Sequence, residues 1–137
     1  MIKIYLFITF MLIVSVLWLW ILSIIVRKIK GFKAIFFVII GLIGLVIFFG
    51  IKYYTIYSYN SKNFYILTEN LNIKSGANLF DFIYFSFITI TTVGYGDIIP
   101  INPMAKFLTI IEVLLGISFV SLILGRLILE KDKLDKN

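Results

Sequence analysis

The chain has no cysteine and no histidine. The first absence excludes disulfides and thiolate metal sites, and the second excludes an imidazole base, ligand or pH switch, so the catalytic triads and zinc centres that need these residues are ruled out. Charge is scarce as well. Only 15% of the residues are charged and 61% are hydrophobic, whereas soluble domains run at about 25% and 45–50%. No segment carries arginine at every third position, which excludes a voltage-sensing helix. What charge there is favours the basic side, with 13 Lys and Arg against 7 Asp and Glu. The basic residues sit mostly beside apolar tracts, which reads as a topology device and a contact with lipid headgroups, not as nucleic-acid binding.

Long uncharged runs fill the space that charge leaves. Ile4–Val26 and Ala34–Ile51 contain no charged residue, and at 1.5 Å per residue the shorter covers about 27 Å, close to the hydrocarbon thickness of a bilayer. A third apolar segment runs from about Met104 to Leu129. A chain of 137 residues has no room for a soluble core that would enclose all of them, so they read as membrane helices. The first tract is longer than a signal-peptide core, lacks a small-residue cleavage site, and is followed by Arg27-Lys28-Ile29-Lys30, a stop-transfer flank. It is expected to remain as a helix, its Trp18 and Trp20 facing lipid or packing on other helices.

Orientation follows from the basic residues. The connection Arg27 to Lys33 carries four of them and no acid, which places it in the cytoplasm. The second helix then runs outward, and Tyr53, Tyr54, Tyr57 and Tyr59 at its outer end suit the headgroup belt. Asn60 to Asn78 is a polar outside segment, and Glu130 to Asn137 a short solvated tail of mixed charge in the cytoplasm. The N-terminus falls outside.

Thr91-Thr92-Val93-Gly94-Tyr95-Gly96-Asp97 carries the chemistry. A cation leaving water must have its hydration oxygens replaced, and rings of backbone carbonyls do this. Gly94 and Gly96 can adopt positive φ without a Cβ clash, so alternate residues can take opposite hands and successive carbonyls can turn to one side. The Thr92 hydroxyl adds an oxygen at the inner end of the row. The amphipathic run Leu79 to Thr91 precedes the string, with Asp81 placed to cap its N-terminus. Its C-terminal end, near Thr91, would favour a cation beyond it.

In these residues, and through the whole second half, the chain resembles the potassium-channel pore family. The resemblance implies an all-α membrane protein with three transmembrane helices, a re-entrant pore helix and a selectivity filter, assembled as a tetramer. Residues 1–33 would be the extra N-terminal helix and its basic loop. Residues 34–129 would form the pore domain: outer helix 34–57, outside loop 58–78, pore helix 79–91, filter 92–97 and inner helix 104–129. Residues 130–137 would be the tail. By position, Thr92, Val93, Gly94 and Tyr95 would coordinate K+, with the Gly96 carbonyl at the outer mouth. Thr91, Asp97, Tyr84 and Thr89 would support the filter, Tyr95 turning its ring away from the axis and Asp97 standing behind it. Gly116 falls at the inner-helix hinge, and Ile117, Val120 and Leu124 would line the cytoplasmic half of the cavity, where an apolar constriction gates by dewetting.

The chain departs from the family at two places. Tyr84 and Phe85 replace paired tryptophans, so the second indole's bracing hydrogen bond is unavailable. Ile88 stands where some bacterial members carry a glutamate, which removes a carboxyl pair with Asp97.

Glu112 is the only acid within the third apolar segment, one turn before Gly116. A carboxylate at such depth costs about 2.5–3.5 kcal/mol without a partner or water. Two readings stand: it contacts the pore-helix end at Ser86 or Thr89, or faces the cavity and concentrates cations; or it is a protonated or hydrogen-bonded carboxyl that merely pins two helices. Gly41 and Gly44 suit close helix packing alone.

The resulting expectation is a homotetrameric, potassium-selective channel in the cell membrane, multi-pass, with membrane lipids as its surroundings. It is not an enzyme and has no cofactor, K+ being its permeant ion. Its tail is too short for a nucleotide- or calcium-binding domain, so gating by such ligands would need a regulatory subunit. A poorly selective cation channel and a non-conducting subunit of a larger assembly are the alternatives. A transporter built on related pore loops is disfavoured, since such loops usually keep one glycine and this one keeps Gly94 and Gly96. The absence of cysteine makes the topology directly measurable. A membrane-impermeant maleimide added to intact cells should label Ser75→Cys and leave Lys30→Cys unlabelled until the membrane is permeabilised; the reverse pattern would invert the topology.

Overall fold

The computed structural model describes residues 32–67 and 76–134, together with Phe10, Ile13, Leu17, Trp20 and Ile24. The expected first helix and basic loop therefore lie almost wholly outside the described residues, as do 68–75 of the outside loop and 135–137 of the tail. The chain divides into two compact units, Met1–Leu45 with Leu122–Asn137, and Val46–Ser121. The second unit holds the string 91–97 and the elements that fix it.

Five main elements are described. They are α1 (Phe32–Tyr59), β1 (Phe64–Ile66), α2 (Leu79–Ile90), β2 (Ile98–Pro100) and α3 (Pro103–Leu134), with a single 3-10 turn at Ser61–Asn63 after α1. Among the described residues two helical stretches are long and apolar enough to cross a membrane, Ile35–Tyr59 and Pro103–Gly125, with mean hydropathies of 2.7 and 2.5. The molecule is thus mostly helical, but β1 and β2 form a two-stranded antiparallel sheet that the purely helical reading lacked. Its register pairs Phe64 with Pro100 and Ile66 with Ile98. The sheet arises because the segments flanking the helices need partners for their own backbone groups, and each supplies them to the other.

The ends of the elements follow local chemistry. α1 stops at Asn60, whose extended backbone leaves the helix and whose Oδ1 accepts the Lys62 amide at 3.0 Å. α2 starts on a reciprocal box, in which Asn78 Oδ1 accepts the Asp81 amide at 3.0 Å and Asp81 Oδ2 accepts the Asn78 amide at 2.9 Å. α3 starts with Pro103, which needs no amide partner in the first turn, after Asn102, whose Oδ1 accepts the Met104 amide at 2.8 Å. It continues to Leu134, beyond the expected end at Leu129, because Glu130 to Leu134 contains no helix breaker.

Aromatic rings fill the centre of the second unit. Tyr53, Phe64, Phe82 and Phe85 are all buried, with Tyr53 against Phe85 at 5.0 Å and Phe64 against Phe82 at 5.1 Å, both edge-on. Each such pair contributes about 0.5–1.5 kcal/mol beyond its buried area. Helix α1 closes on α2 at Gly50, where an added Cβ would lie 2.8 Å from the Ile83 Cα. Two of the tyrosines assigned to the headgroup belt, Tyr54 and Tyr57, stack on Phe82 at 6.1 and 5.1 Å. Tyr59 is exposed, but Tyr53 is fully buried and does not belong to that belt. Its hydroxyl has a buried acceptor, which a sequence pattern of tyrosines cannot reveal.

Asn63 joins the outer ends of the helices. Its Nδ2 donates to the Ile56 carbonyl at 2.8 Å, its Oδ1 accepts from Asn102 Nδ2 at 3.1 Å, and its carbonyl accepts the Ile101 amide at 2.8 Å. Alanine at 63 would keep only the last of these and leave buried polar atoms of α1 and Asn102 unpaired. Asn63→Ala should therefore lower stability by about 1–3 kcal/mol, read as an earlier thermal transition of the detergent-purified protein.

Candidate functional site

The string 91–97 leaves the C-terminal end of α2 and turns back on it. Four consecutive amides are tied to that end: Thr91 to the Phe87 carbonyl at 3.2 Å, Thr92 to Thr89 at 2.9 Å, and Val93 and Gly94 both to Ile88, at 2.9 and 3.1 Å. These are the carbonyls that a helix terminus leaves without intrahelical partners. The Thr91 hydroxyl adds a bond to the Phe87 carbonyl at 2.6 Å. With the amides held on the α2 side, the carbonyls of residues 92–96 are left over. Among the described residues, no backbone hydrogen bond ends on any of those five.

The backbone hand alternates along the same stretch. Thr92, Gly94 and Gly96 have φ of 60°, 55° and 76°, while Val93 and Tyr95 between them do not have positive φ. Ordinary strands send successive carbonyls to opposite sides, and alternation of hand is what allows them to share one. Gly94 and Gly96 have no atom within 4 Å of where a Cβ would stand, so glycine is required there by the backbone angle and not by crowding. Thr92 holds a left-handed angle without being glycine, at a cost of about 1–2 kcal/mol. The three amide bonds of its neighbours Thr91, Val93 and Gly94 to α2 hold it there.

Asp97 closes the far end. Its carboxylate lies beside the Tyr84 hydroxyl and accepts the Ile98 amide at 3.1 Å. Its carbonyl accepts the Leu67 amide at 2.8 Å, which continues the β1–β2 ladder. Tyr84, one turn and a half before the end of α2, is the α2 side chain nearest to where the missing indole would act on Asp97. Thr89 is buried, whereas Thr91, Thr92, Val93, Gly94, Tyr95 and Gly96 are exposed on the single chain. A cavity of about 390 Å³ beside the loop is bounded by Ile88, Thr92, Gly94, Ile98, Thr109 and Val113.

Glu112 is fully buried, so it does not face an open cavity. Ser86 donates a hydrogen bond to its Oε1, and Tyr53 donates one to Oε2 at 2.8 Å. It meets Ser86 and not Thr89. The Tyr53 oxygen also lies 3.4 Å from Thr109 Oγ1. Gly116 packs one turn further on, where an added Cβ would collide with the Ile90 carbonyl oxygen and come within 2.9 Å of its carbon. Close packing against α2 thus occupies the position expected for a hinge, within a continuous α3. Ile117 and Val120 are exposed in the second unit, and Leu124 is exposed in the first.

Lys52 and Tyr53 were missed as site residues. Lys52 is buried, its Nζ lies 4.2 Å from the Phe48 ring centre and 5.2 Å from that of Phe49, and it has no hydrogen-bond partner among the described residues. A cation over aromatic faces contributes up to about 2 kcal/mol when desolvated. A lysine directly after an uncharged tract was the available signal, since it marks a charge that must find a partner or reach water.

Comparison with known proteins converges on the same region. A family described as "Ion channel" matches residues 42–129. The chain is similar to Two-pore potassium channel 4 of Arabidopsis thaliana, 44% identical over 62 residues, 44% of this chain and 22% of that protein. It is 43% identical to the Voltage-gated potassium channel of Aeropyrum pernix over 56 residues, 41% of this chain and 18% of that protein. Potassium channel K2 of Plasmodium falciparum is 40% identical over 74 residues, 54% of this chain and 5% of that protein. The chain thus spans about a fifth or less of the length of these relatives.

Removing the Tyr84 hydroxyl should loosen Asp97 without disturbing the aromatic core. In Tyr84→Phe the Ile98 and Leu67 amides should exchange with deuterium about fivefold faster, corresponding to about 1 kcal/mol for a partly solvated bond to a carboxylate. Unchanged exchange at both amides would show that the brace carries no weight.

Proposed function

This chain belongs to the ion-channel family, with potassium channels among its relatives, and from that membership we propose that it conducts K+ passively across a membrane through a homotetrameric pore. The observation that carries the reading is the row of carbonyls at residues 92–96 left without backbone partners while the neighbouring amides are bound to α2. Unpaired carbonyls at membrane depth are tolerable only where they face water or an ion. One chain offers one side of such a site. Four around an axis surround it, and closed symmetry supplies the other three sides from identical chains.

In that assembly the carbonyls of Thr92, Val93, Gly94 and Tyr95, with the Thr92 hydroxyl, replace the water around K+, and Gly96 forms the outer mouth. The C-terminal dipole of α2 favours a cation below the filter. Ile117, Val120 and Leu124, all exposed on the single chain, line the inner half of the pathway, where an apolar ring closes by losing water. Helices α1 and α3 are the outer and inner spans, a third span precedes them, and the filter mouth and N-terminus lie outside with the C-terminus in the cytoplasm. The protein moves ions and makes no bond.

Glycine angles and the Tyr84 brace support potassium selectivity over a nonselective pore, while Ile88 in place of a carboxylate makes the brace the main polar support behind the filter. The test is ion flux in liposomes containing only this protein, loaded with K+ and diluted into N-methylglucamine or Na+. Flux should follow the K+ gradient, with Na+ at least tenfold slower, and Gly94→Ala, strained at a φ of 55°, should abolish it. Equal Na+ flux would replace the reading with a nonselective pore. Assembled tetramers with no flux would replace it with a non-conducting subunit.

A further inference from the structure

Ser86 and Ile90 lie one turn apart on α2, and Glu112 and Gly116 lie one turn apart on α3. The two pairs meet. Ser86 donates to Glu112, and the Ile90 carbonyl abuts Gly116 with no room for a Cβ. Between them on α2 sits Ile88, whose carbonyl holds the Val93 and Gly94 amides at 2.9 and 3.1 Å. The other carboxylate oxygen of Glu112 takes the Tyr53 hydroxyl of α1 at 2.8 Å. A single buried side chain therefore joins three helices, and only Phe87 separates its anchor, Ser86, from Ile88, whose carbonyl orients the loop.

Ser86 and Tyr53 each donate to a different oxygen of the Glu112 carboxyl group, so each oxygen is committed to a different helix. Lys52, next to Tyr53 on α1, holds its ammonium over Phe48 and has no hydrogen-bond partner among the described residues. Helix α3 cannot slide or bend near Glu112 without breaking the Ser86 bond or dragging α2 with it, because Gly116 leaves no slack at the next turn. Any drag on α2 moves the Ile88 carbonyl and with it two amides whose orientation sets the direction of the adjoining carbonyls.

We propose that Glu112 is a positioning residue for ion selectivity, tying the inner helix to the pore helix so that displacement of α3 is passed through Ile88 to the filter amides. The role rests on the conduction reading, since selectivity is its consequence. Glutamine at 112 keeps the shape, but its NH2 group cannot accept a hydroxyl. Alanine at 86 removes the other half of the same bond.

Two measurements on the full-length protein in liposomes test this: deuterium exchange of the Val93 and Gly94 amides, which needs no ion flow, and the K+ to Na+ flux ratio. Glu112→Gln and Ser86→Ala should each speed exchange at both amides at least fivefold and lower the ratio at least tenfold, with the double variant no worse than the worse single. Leu108→Ala, which empties a buried site on the same helix outside the network, should lower thermal stability and leave both readouts unchanged. Unchanged exchange and ratio in either assembled network variant would overturn the proposal. Equal effects from Leu108→Ala would overturn it too, since they would show general loosening. A wild-type protein that carries no ions would defeat the conduction reading and the selectivity role with it, while faster exchange in the variants would still establish the mechanical tie.

Discussion

The structure depends on which amides donate to the last carbonyls of α2. A helix terminus leaves its final carbonyls unpaired, and here Phe87, Ile88 and Thr89 take the amides of residues 91–94. That arrangement reverses the usual accounting for a loop. The donors are spent inward, and the acceptors of residues 92–96 are what the loop presents. Positive φ at Thr92, Gly94 and Gly96 is the backbone's way of satisfying the first requirement without returning alternate carbonyls to the helix. Asp97, held by Ile98 and Leu67 and flanked by Tyr84, ends the row and hands the chain to the β-ladder.

Everything that packs around α2 keeps that terminus in place. Phe82 and Phe85 anchor it in the aromatic core, Gly50 brings α1 onto its backbone, and Gly116 brings α3 onto its last turn. These are contacts of shape, and they tolerate little change because interiors are close-packed. The polar network differs in kind. Glu112, Tyr53 and Ser86, all fully buried, satisfy one another, so the arrangement specifies one relative position of three helices. A buried carboxyl group is costly to place and is satisfied here by two hydroxyls; the same cost makes it intolerant of displacement.

Much of this could be read from residue order. The apolar tracts announced helices of membrane length, the capping pair around α2 was visible in Asp81, and the glycine spacing in the string 91–97 dictated where positive φ would fall. The family resemblance rested on those local signals, and it holds over residues 42–129. Local signals stop at the range of a turn or a helix period. The sheet between β1 and β2 pairs segments more than thirty residues apart, through residues with no strong strand pattern, and so it was invisible. Tyr53 illustrates the limit well: among four tyrosines it looked amphipathic and interfacial, and it is the one that is fully buried.

The sequence alone therefore determined the class of the protein and the left-handed angles of Gly94 and Gly96 in its loop, because hydropathy and glycine act locally: a run of apolar residues must leave water, and only certain residues accept left-handed angles. Tertiary structure decided which partners meet. It chose Ser86 over Thr89 for Glu112, brought Tyr53 and Lys52 from a different helix to the same place, set Gly116 against Ile90, and gave the brace on Asp97 to Tyr84. Those choices follow from how three helices pack against one another, and packing is a property of surfaces that residue order brings together only after the chain has folded.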